Sequence, residues 1–220
     1  MCPHARRRTE IGARVIAAAR WLVPLEDGLD LPRPAAAAVA GDVALAYTLY
    51  ARTGVGPREP VVVVGASAVT WFLVDILVAK GVAPVVIADP AQAAWCAHLA
   101  RKGVTIASPG EAHAQAFAAF DAQGFGARPW RVIATSPDAA ALAAELAGPR
   151  ATLTVLAPVA TLPGALADRE VTVIAVAGAH PDLVVEVAAM CAKGDVDLAA
   201  GTVIGAAPDG ELRSVIVPRG

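Results

Sequence analysis

Short apolar runs alternate with longer, mostly apolar segments along much of this chain. The clearest example is residues 60–89, PVVVVGASAVTWFLVDILVAKGVAPVVIAD. An apolar run at 61–64 ends at a glycine, a segment of helical length follows at 69–80, and a second apolar run at 84–88 ends in an aspartate. Short runs of β-branched residues are typical of strands buried on both faces of a sheet, and longer segments favour helices. The stretch therefore predicts a strand, a tight turn, a helix and a second strand.

The same alternation continues towards the C-terminus. Strands are predicted at 61–64, 84–88, 104–107, 130–134, 151–157 and 171–177, with a short final strand at 212–217. Helices are predicted at 35–52, 69–80, 90–102, 110–121, 137–147 and 180–193. Strands that alternate with helices at this spacing are joined by right-handed crossovers and lie parallel. We therefore predict an α/β fold, a doubly wound sheet of six parallel strands, with an N-terminal helical arm.

The hydrophobic content is high for a chain without a membrane span. The chain has 220 residues, of which 56% are hydrophobic, and its mean hydropathy is +0.56. A parallel sheet covered on both faces and an oligomer interface would each bury part of this excess. The run VTVIAVA at 171–177 would be an apolar edge strand, and such edges favour pairing. We expect a homodimer through this sixth strand.

Charge and cysteine content exclude several classes of protein. The net charge is −2 at pH 7 and the pI is about 6.1, so no basic surface for nucleic acid is expected. Three scattered cysteines make no disulfide framework, which predicts a reducing, cytoplasmic environment. The N-terminus lacks the apolar core of a signal peptide, and Gly, Pro or a charge interrupts each long apolar run, so no membrane span is expected.

The turn after the first predicted strand carries the first candidate site. The fingerprint G-x-G-x-x-G of dinucleotide-binding Rossmann folds falls here on Gly65, Ser67 and Thr70, so that only the first glycine is present. In such folds the turn and the helix N-terminus, here Ala68 and Val69, hold a pyrophosphate. Ser67 adds a side chain where the phosphate would approach, although its hydroxyl could donate a hydrogen bond. Two interpretations stay open: a cofactor turn for NAD, or a structural turn without a ligand.

Residues after the other strands extend this candidate site. Asp89 ends the second strand, where an acid binds ribose hydroxyls and favours NAD over NADP by repelling a 2′-phosphate. The same aspartate, before a proline, could instead cap the next helix. Thr135, Ala157 and Gly178 follow the fourth, fifth and sixth strands, at the edge where open sheets bind ligands. Ordinary loop roles are the alternative for these three residues.

Longer segments resemble a known family. Residues 20–69 contain RWLVPLEDGLDL, an Ala-rich helix with Tyr47, and a turn at Gly54–Pro57 ahead of the first strand. Later segments of similar kind are AGAHPDL at 177–183, KGDV at 193–196 and LRSVIVP at 212–218. In order and spacing these segments resemble the cofactor domain of the medium-chain dehydrogenase/reductase family, the relatives of zinc alcohol dehydrogenase.

The resemblance implies an NAD(H)-binding oxidoreductase that would transfer a hydride between NAD and an alcohol or carbonyl. It implies that residues 1–34 are an arm left from a missing catalytic domain, and that residues 35–220 form the Rossmann domain. By resemblance, the nicotinamide would lie over the loops after the last two strands, and two sixth strands would join in a dimer. A separate partner chain could supply the catalytic domain.

The zinc chemistry of that family is not carried by this sequence. Relatives place a zinc ligand six residues before the helix tyrosine, and that position is Gly41 here, with Asp42 adjacent. The cysteines and histidines show no spacing of converging zinc ligands, so we expect no metal site and name no catalytic residue. The alternative function is therefore a non-catalytic structural or regulatory relative. An S-adenosylmethionine site is a weaker alternative, against which the segment around Gly178 argues.

Overall fold

The computed structural model describes six parts of the chain. These are residues 39–89, 93–126, 128–158, 162–198, 203–204 and 214–215. The predicted arm at 1–34, the start of the helix at 35–52, and most of the final strand at 212–217 lie outside these residues. The division of the chain at residue 34 therefore stays a prediction.

Six parallel strands form one sheet, as predicted. They are β1 Val61–Val64, β2 Val85–Ile87, β3 Thr105–Ala107, β4 Arg131–Ala134, β5 Thr152–Leu156 and β6 Thr172–Val176. Their order in the sheet is β3-β2-β1-β4-β5-β6, and every neighbouring pair is parallel. The direction of strand addition reverses between β1 and β4. The strands β2 and β3 are added on one side of β1, and β4, β5 and β6 are added on its other side. The doubly wound α/β architecture is confirmed.

The structure also has a second, separate sheet, of which only one strand was predicted. Two short strands, β7 Val203–Ile204 and β8 Ser214–Val215, pair in parallel. The second lies within the predicted final strand at 212–217, whereas the first was not predicted. Two residues are too few to show the alternation or apolar run from which strands are recognised in a sequence.

Helices connect the strands. They are α1 Ala44–Thr53, α2 Ala68–Ala79, α3 Ala93–Arg101, α4 Ala112–Ala122, α5 Ala140–Leu146, α6 Ala165–Asp168 and α7 Val184–Ala192. A π-helical turn at Val39–Val43 precedes α1. The predicted helices at 110–121, 137–147 and 180–193 each begin with a 3-10 turn that has a proline in its first positions. Proline suits a helix start since it has no N–H to leave unpaired there.

The strands are buried on both faces. In β1, Val61 and Val63 pack with α1, α2 and α7 on one side of the sheet, which we call the first face. Val62 and Val64 pack with α4 and α5 on the opposite side, the second face. Strand side chains alternate between faces, so an unbroken valine run requires cover on both. Burying a valine side chain contributes about 1.5–3 kcal/mol, so this strand anchors the core.

One carboxylate lies within the first face. Asp75 is 2% exposed and is the one charged residue of α2. Its Oδ1 pairs with Lys102 Nζ, and its Oδ2 accepts the backbone N–H of Asp197 at 2.9 Å. Burial raises the pKa of Asp75, while the Lys102 ammonium opposes that rise. The pair thus ties α2 to the turn after α3 and to the segment after α7.

Replacing Lys102 tests this ion pair. Lys102→Met should lower the free energy of unfolding by about 2 kcal/mol at neutral pH, because a buried carboxylate loses its cation. A carboxyl group whose pKa is higher in the folded than in the unfolded state costs stability as the pH rises between those two values. The loss relative to wild type should therefore shrink towards about pH 4, measured by urea unfolding at both pH values. An equal loss at both would contradict the ion pair, and Asp75→Asn with Lys102→Met is the control that should remove the pH dependence.

Candidate cofactor-binding edge

The turn after β1 places a glycine against β4. Gly65 has φ +120°, a backbone conformation that side chains disfavour, and its N–H donates to Ile87 O at 3.2 Å. A Cβ on this residue would lie 2.6 Å from Thr135 Oγ1. Gly65 is therefore required by its own backbone and by the approach of Thr135, without reference to a ligand.

The second and third fingerprint positions form a helix cap. Ser67 has an extended backbone, φ −148° and ψ 170°, which any residue can adopt. Its Oγ accepts the N–H of Thr70 at 3.3 Å, and Thr70 Oγ1 accepts the N–H of Ser67 at 3.2 Å. This reciprocal arrangement is a capping box, which satisfies backbone groups at a helix start. Ala68 and Val69, both buried, begin α2 within it.

A hydroxyl contact joins α2 to β4. Thr70 Oγ1 lies 2.6 Å from Thr135 Oγ1, and both residues are buried. Thr135 Oγ1 also donates to Val64 O at 3.1 Å, the last carbonyl of β1. Sequence reasoning placed Thr70 and Thr135 in the same candidate site but did not foresee that they bind each other. Nothing in the sequence signals a pairing between residues so far apart along the chain.

The remaining predicted residues lie along the same edge of the sheet. Asp89 follows β2 and is exposed, Ala157 follows β5, and Gly178 follows β6. The Ala157 N–H donates to Val176 O at 2.8 Å, which joins the ends of β5 and β6. The structure thus brings Gly65, Thr70 and Thr135 into contact and spreads the other three across the carboxyl ends of neighbouring strands. Their roles in binding stay predictions.

The helix tyrosine of the family resemblance lies away from this edge cluster. Tyr47 is 5% exposed and donates to Glu186 Oε1 of α7. Lys80 Nζ lies 3.9 Å from the same carboxylate and 5.8 Å from the centre of the tyrosine ring. Burial, with the neighbouring Glu186 carboxylate, raises the pKa of Tyr47 far above its usual range. Tyr47 therefore stays protonated and connects α1 with α7.

The candidate metal ligands and reactive side chains in the described residues do not converge on one site. No group of three or more His, Cys, Asp or Glu side chains within them could hold a metal ion. Gly41 and Asp42 lie in the π-helical turn before α1. His180 is exposed, with Nδ1 3.5 Å from Asp182 Oδ2. Burial raises the pKa of the Cys191 thiol to about 12, so it does not serve as a nucleophile.

None of the helices in the described ranges has the length and apolar character that a membrane span requires.

Solved structures of dehydrogenases share this fold. D-arabinose dehydrogenase from Sulfolobus solfataricus has a TM-score of 0.68 at 16% identity, covering 93% of this chain and 63% of that one. Galactitol-1-phosphate dehydrogenase from Escherichia coli has a TM-score of 0.65 at 18% identity, covering 82% and 55%. The fold is like that of these dehydrogenases. No protein-family model and no curated protein matches the sequence.

A third neighbour carries a cofactor. It is described as a short chain alcohol dehydrogenase from Escherichia coli CFT073 complexed with NADH, and it has a TM-score of 0.64 at 13% identity. The match covers 83% of this chain and 54% of that one. The chain thus spans about half to two thirds of the length of these dehydrogenases, and identities this low extend the likeness to the fold alone.

Substituting Gly65 tests the close approach of Thr135. Gly65→Ala should lower the free energy of unfolding by at least about 3 kcal/mol, since it adds a steric overlap to an unfavourable φ. Gly81→Ala is the matched control: Gly81 has φ +75° and nothing within 4 Å of its Cβ position, so a loss of about 1 kcal/mol is expected. Urea unfolding of both variants gives the comparison, and equal losses would rule out the Thr135 contact as a constraint.

Proposed function

We propose that this chain is the nucleotide-binding part of an oxidoreductase related to the medium-chain dehydrogenases, and that it binds NAD(H) weakly. The observation that carries the proposal is the reversal of strand order between β1 and β4, with the Gly65 turn at that point. Open α/β sheets bind ligands at the carboxyl ends of strands where the order reverses. The acid at the end of β2, Asp89, lies on the side where a ribose would bind.

The residues at this edge fit a dinucleotide, but its binding would compete with a hydrogen bond inside the protein. Gly65 supplies the tight turn, and the exposed Asp89 carboxylate can accept ribose hydroxyls. A pyrophosphate at the start of α2 would compete with the Ser67 hydroxyl for the N–H of Thr70. The proposal is therefore of weak rather than tight binding.

Hydride transfer is the chemistry that NAD would supply here. The chain's own contribution is to bind and orient: Asp89 holds the ribose and disfavours a 2′-phosphate, and the loops at Ala157 and Gly178 line the far end of the edge. Within the described ranges the structure identifies no side chain as the acid or base for an alcohol or carbonyl. We propose that the groups for that step come from another part of the protein or from a partner chain, since the similar dehydrogenases are longer.

A non-catalytic relative is the second candidate. The observation that favours it is the satisfied cap and hydroxyl contact around Gly65, which needs no ligand to complete it. Such a protein would keep the fold for assembly or regulation and would bind NAD(H) too weakly for use. The cysteines Cys96 and Cys191 are free, which supports the proposal of a reducing, cytoplasmic location for either candidate.

Cofactor titration tests the proposed function. NADH should bind with a dissociation constant of about 10⁻⁴ M or weaker, and NADPH about tenfold more weakly, because the Asp89 carboxylate repels the 2′-phosphate. Asp89→Ala should weaken NADH binding and remove the preference, as measured by calorimetry or NADH fluorescence. Asp121→Ala, an exposed acid on α4, is the control that should change neither. Equal binding of NADPH by the wild type would contradict the role of Asp89.

We propose that the protein is a homodimer through β6. This strand ends the sheet, and within the described residues no strand pairs with its outer side. Its sequence TVIAV carries no charge or proline that would discourage pairing, and Val173 is 41% exposed on the second face. A second copy of the same neutral strand is complementary to this edge.

Mass measurement by light scattering tests the dimer. The wild type should be dimeric at micromolar concentration, and Val173→Glu should shift it towards monomer, since the charge would be buried at the joint. Val78→Glu is the matched control, because Val78 is similarly exposed, 38%, but lies on α2 away from the sheet edge. A monomeric wild type would refute the proposal.

A further inference from the structure

We infer that Ser67, Thr70 and Thr135 form a built-in closure of the phosphate turn, in which Ser67 takes the place of the bound anion. This inference rests on the proposed function, since it concerns the same edge of the sheet. According to this inference, NAD(H) binds weakly because of the Ser67 hydroxyl group. The size of the Ser67 side chain is a separate possible cause, and the two can be told apart.

The direction of each hydroxyl hydrogen follows from the contacts. Val64 O is a carbonyl and can only accept, so the proton of Thr135 Oγ1 is donated to it at 3.1 Å. A hydroxyl has one proton, so the 2.6 Å contact between Thr70 and Thr135 must be donated by Thr70. The Thr70 oxygen then accepts from the N–H and from the hydroxyl of Ser67, each at 3.2 Å.

The result is a one-way chain of hydrogen bonds. It runs from Ser67 through Thr70 and Thr135 to Val64 O, and the Ser67 oxygen in turn accepts the N–H of Thr70. All three hydroxyl protons are thereby used inside the protein. The sequence suggests that the Ser67 hydroxyl could donate to a phosphate, whereas in this arrangement it has no proton to offer.

Burial identifies where the closure can open. Thr70 and Thr135 are 0% and 1% exposed, so a ligand has no access to their hydroxyls. Ser67 is only half-buried and stands at the open end of the chain. A pyrophosphate must displace its side chain to reach the Thr70 N–H, and that displacement breaks the contacts of Ser67 with Thr70 together. Ser67 is therefore the residue that a ligand must displace, and the hydrogen bonds of the two buried threonines hold it in place.

A pair of substitutions separates the hydroxyl from the side chain's bulk. Ser67→Ala removes the hydroxyl but keeps Cβ, whereas Ser67→Gly removes both. The closure predicts that Ser67→Ala alone strengthens NADH binding about five- to tenfold, the worth of one competing hydrogen bond, with little further gain from Ser67→Gly. A gain seen only with Ser67→Gly would make Cβ the obstacle and would overturn the inference.

Hydrogen exchange gives a readout that does not depend on any ligand. The Thr70 amide should exchange faster in Ser67→Ala than in the wild type, because its acceptor is gone. Ser108→Ala is the matched control: this serine also precedes a helical turn at the carboxyl edge, but its side chain makes no cap. It should change neither Thr70 exchange nor NADH affinity.

The outcomes distinguish the closure from the proposed function. If Ser67→Ala binds inorganic pyrophosphate more tightly than the wild type and its Thr70 amide exchanges faster, while no variant binds NADH, the closure stands and the proposed function is wrong. Weak NADH binding by the wild type that does not strengthen in Ser67→Ala would leave the proposed function standing and overturn the closure. Unchanged Thr70 exchange in Ser67→Ala would likewise overturn it.

Discussion

All four valines of β1 are buried, and because their side chains alternate, both faces of the sheet must be covered at this strand. That requirement places α2 on one face and α5 on the other, and it leaves only the ends of the strand open. The carboxyl end leads directly into Gly65, where the chain must turn within a space bounded by Thr135. The geometry of the candidate site is thus a consequence of how the central strand is packed.

Sequence reasoning recovered the architecture because its signals are local. Runs such as 61–64 and 84–88 predicted β1 and β2 within a residue or two, since a strand buried on both faces must be continuously apolar. The short helix α6 and the strand β7 were missed because neither is long enough to show a period. Element boundaries shifted where proline began a 3-10 turn in place of an α-helix.

The candidate site was predicted as a set of positions, and its chemistry was not. The fingerprint located Gly65, Ser67 and Thr70 correctly at a strand–helix turn. Whether their side chains face a ligand or one another depends on Thr135, which arrives from a strand 65 residues later. A pattern read along the chain carries no information on such a contact. At the two positions where the fingerprint has glycines, Ser67 and Thr70 make hydrogen bonds within the protein.

The contacts around α1 and Asp75 have a consequence for how this chain acquires its structure during synthesis. Tyr47 meets Glu186, Thr48 meets the N–H of His180, and Asp75 meets the N–H of Asp197, with separations of 139, 132 and 122 residues. A nascent chain that has not yet reached these partners holds a carboxylate in α2 that lacks one of its hydrogen-bond donors. The helices α1 and α2 therefore reach their full set of contacts only after the chain has been synthesised through Asp197.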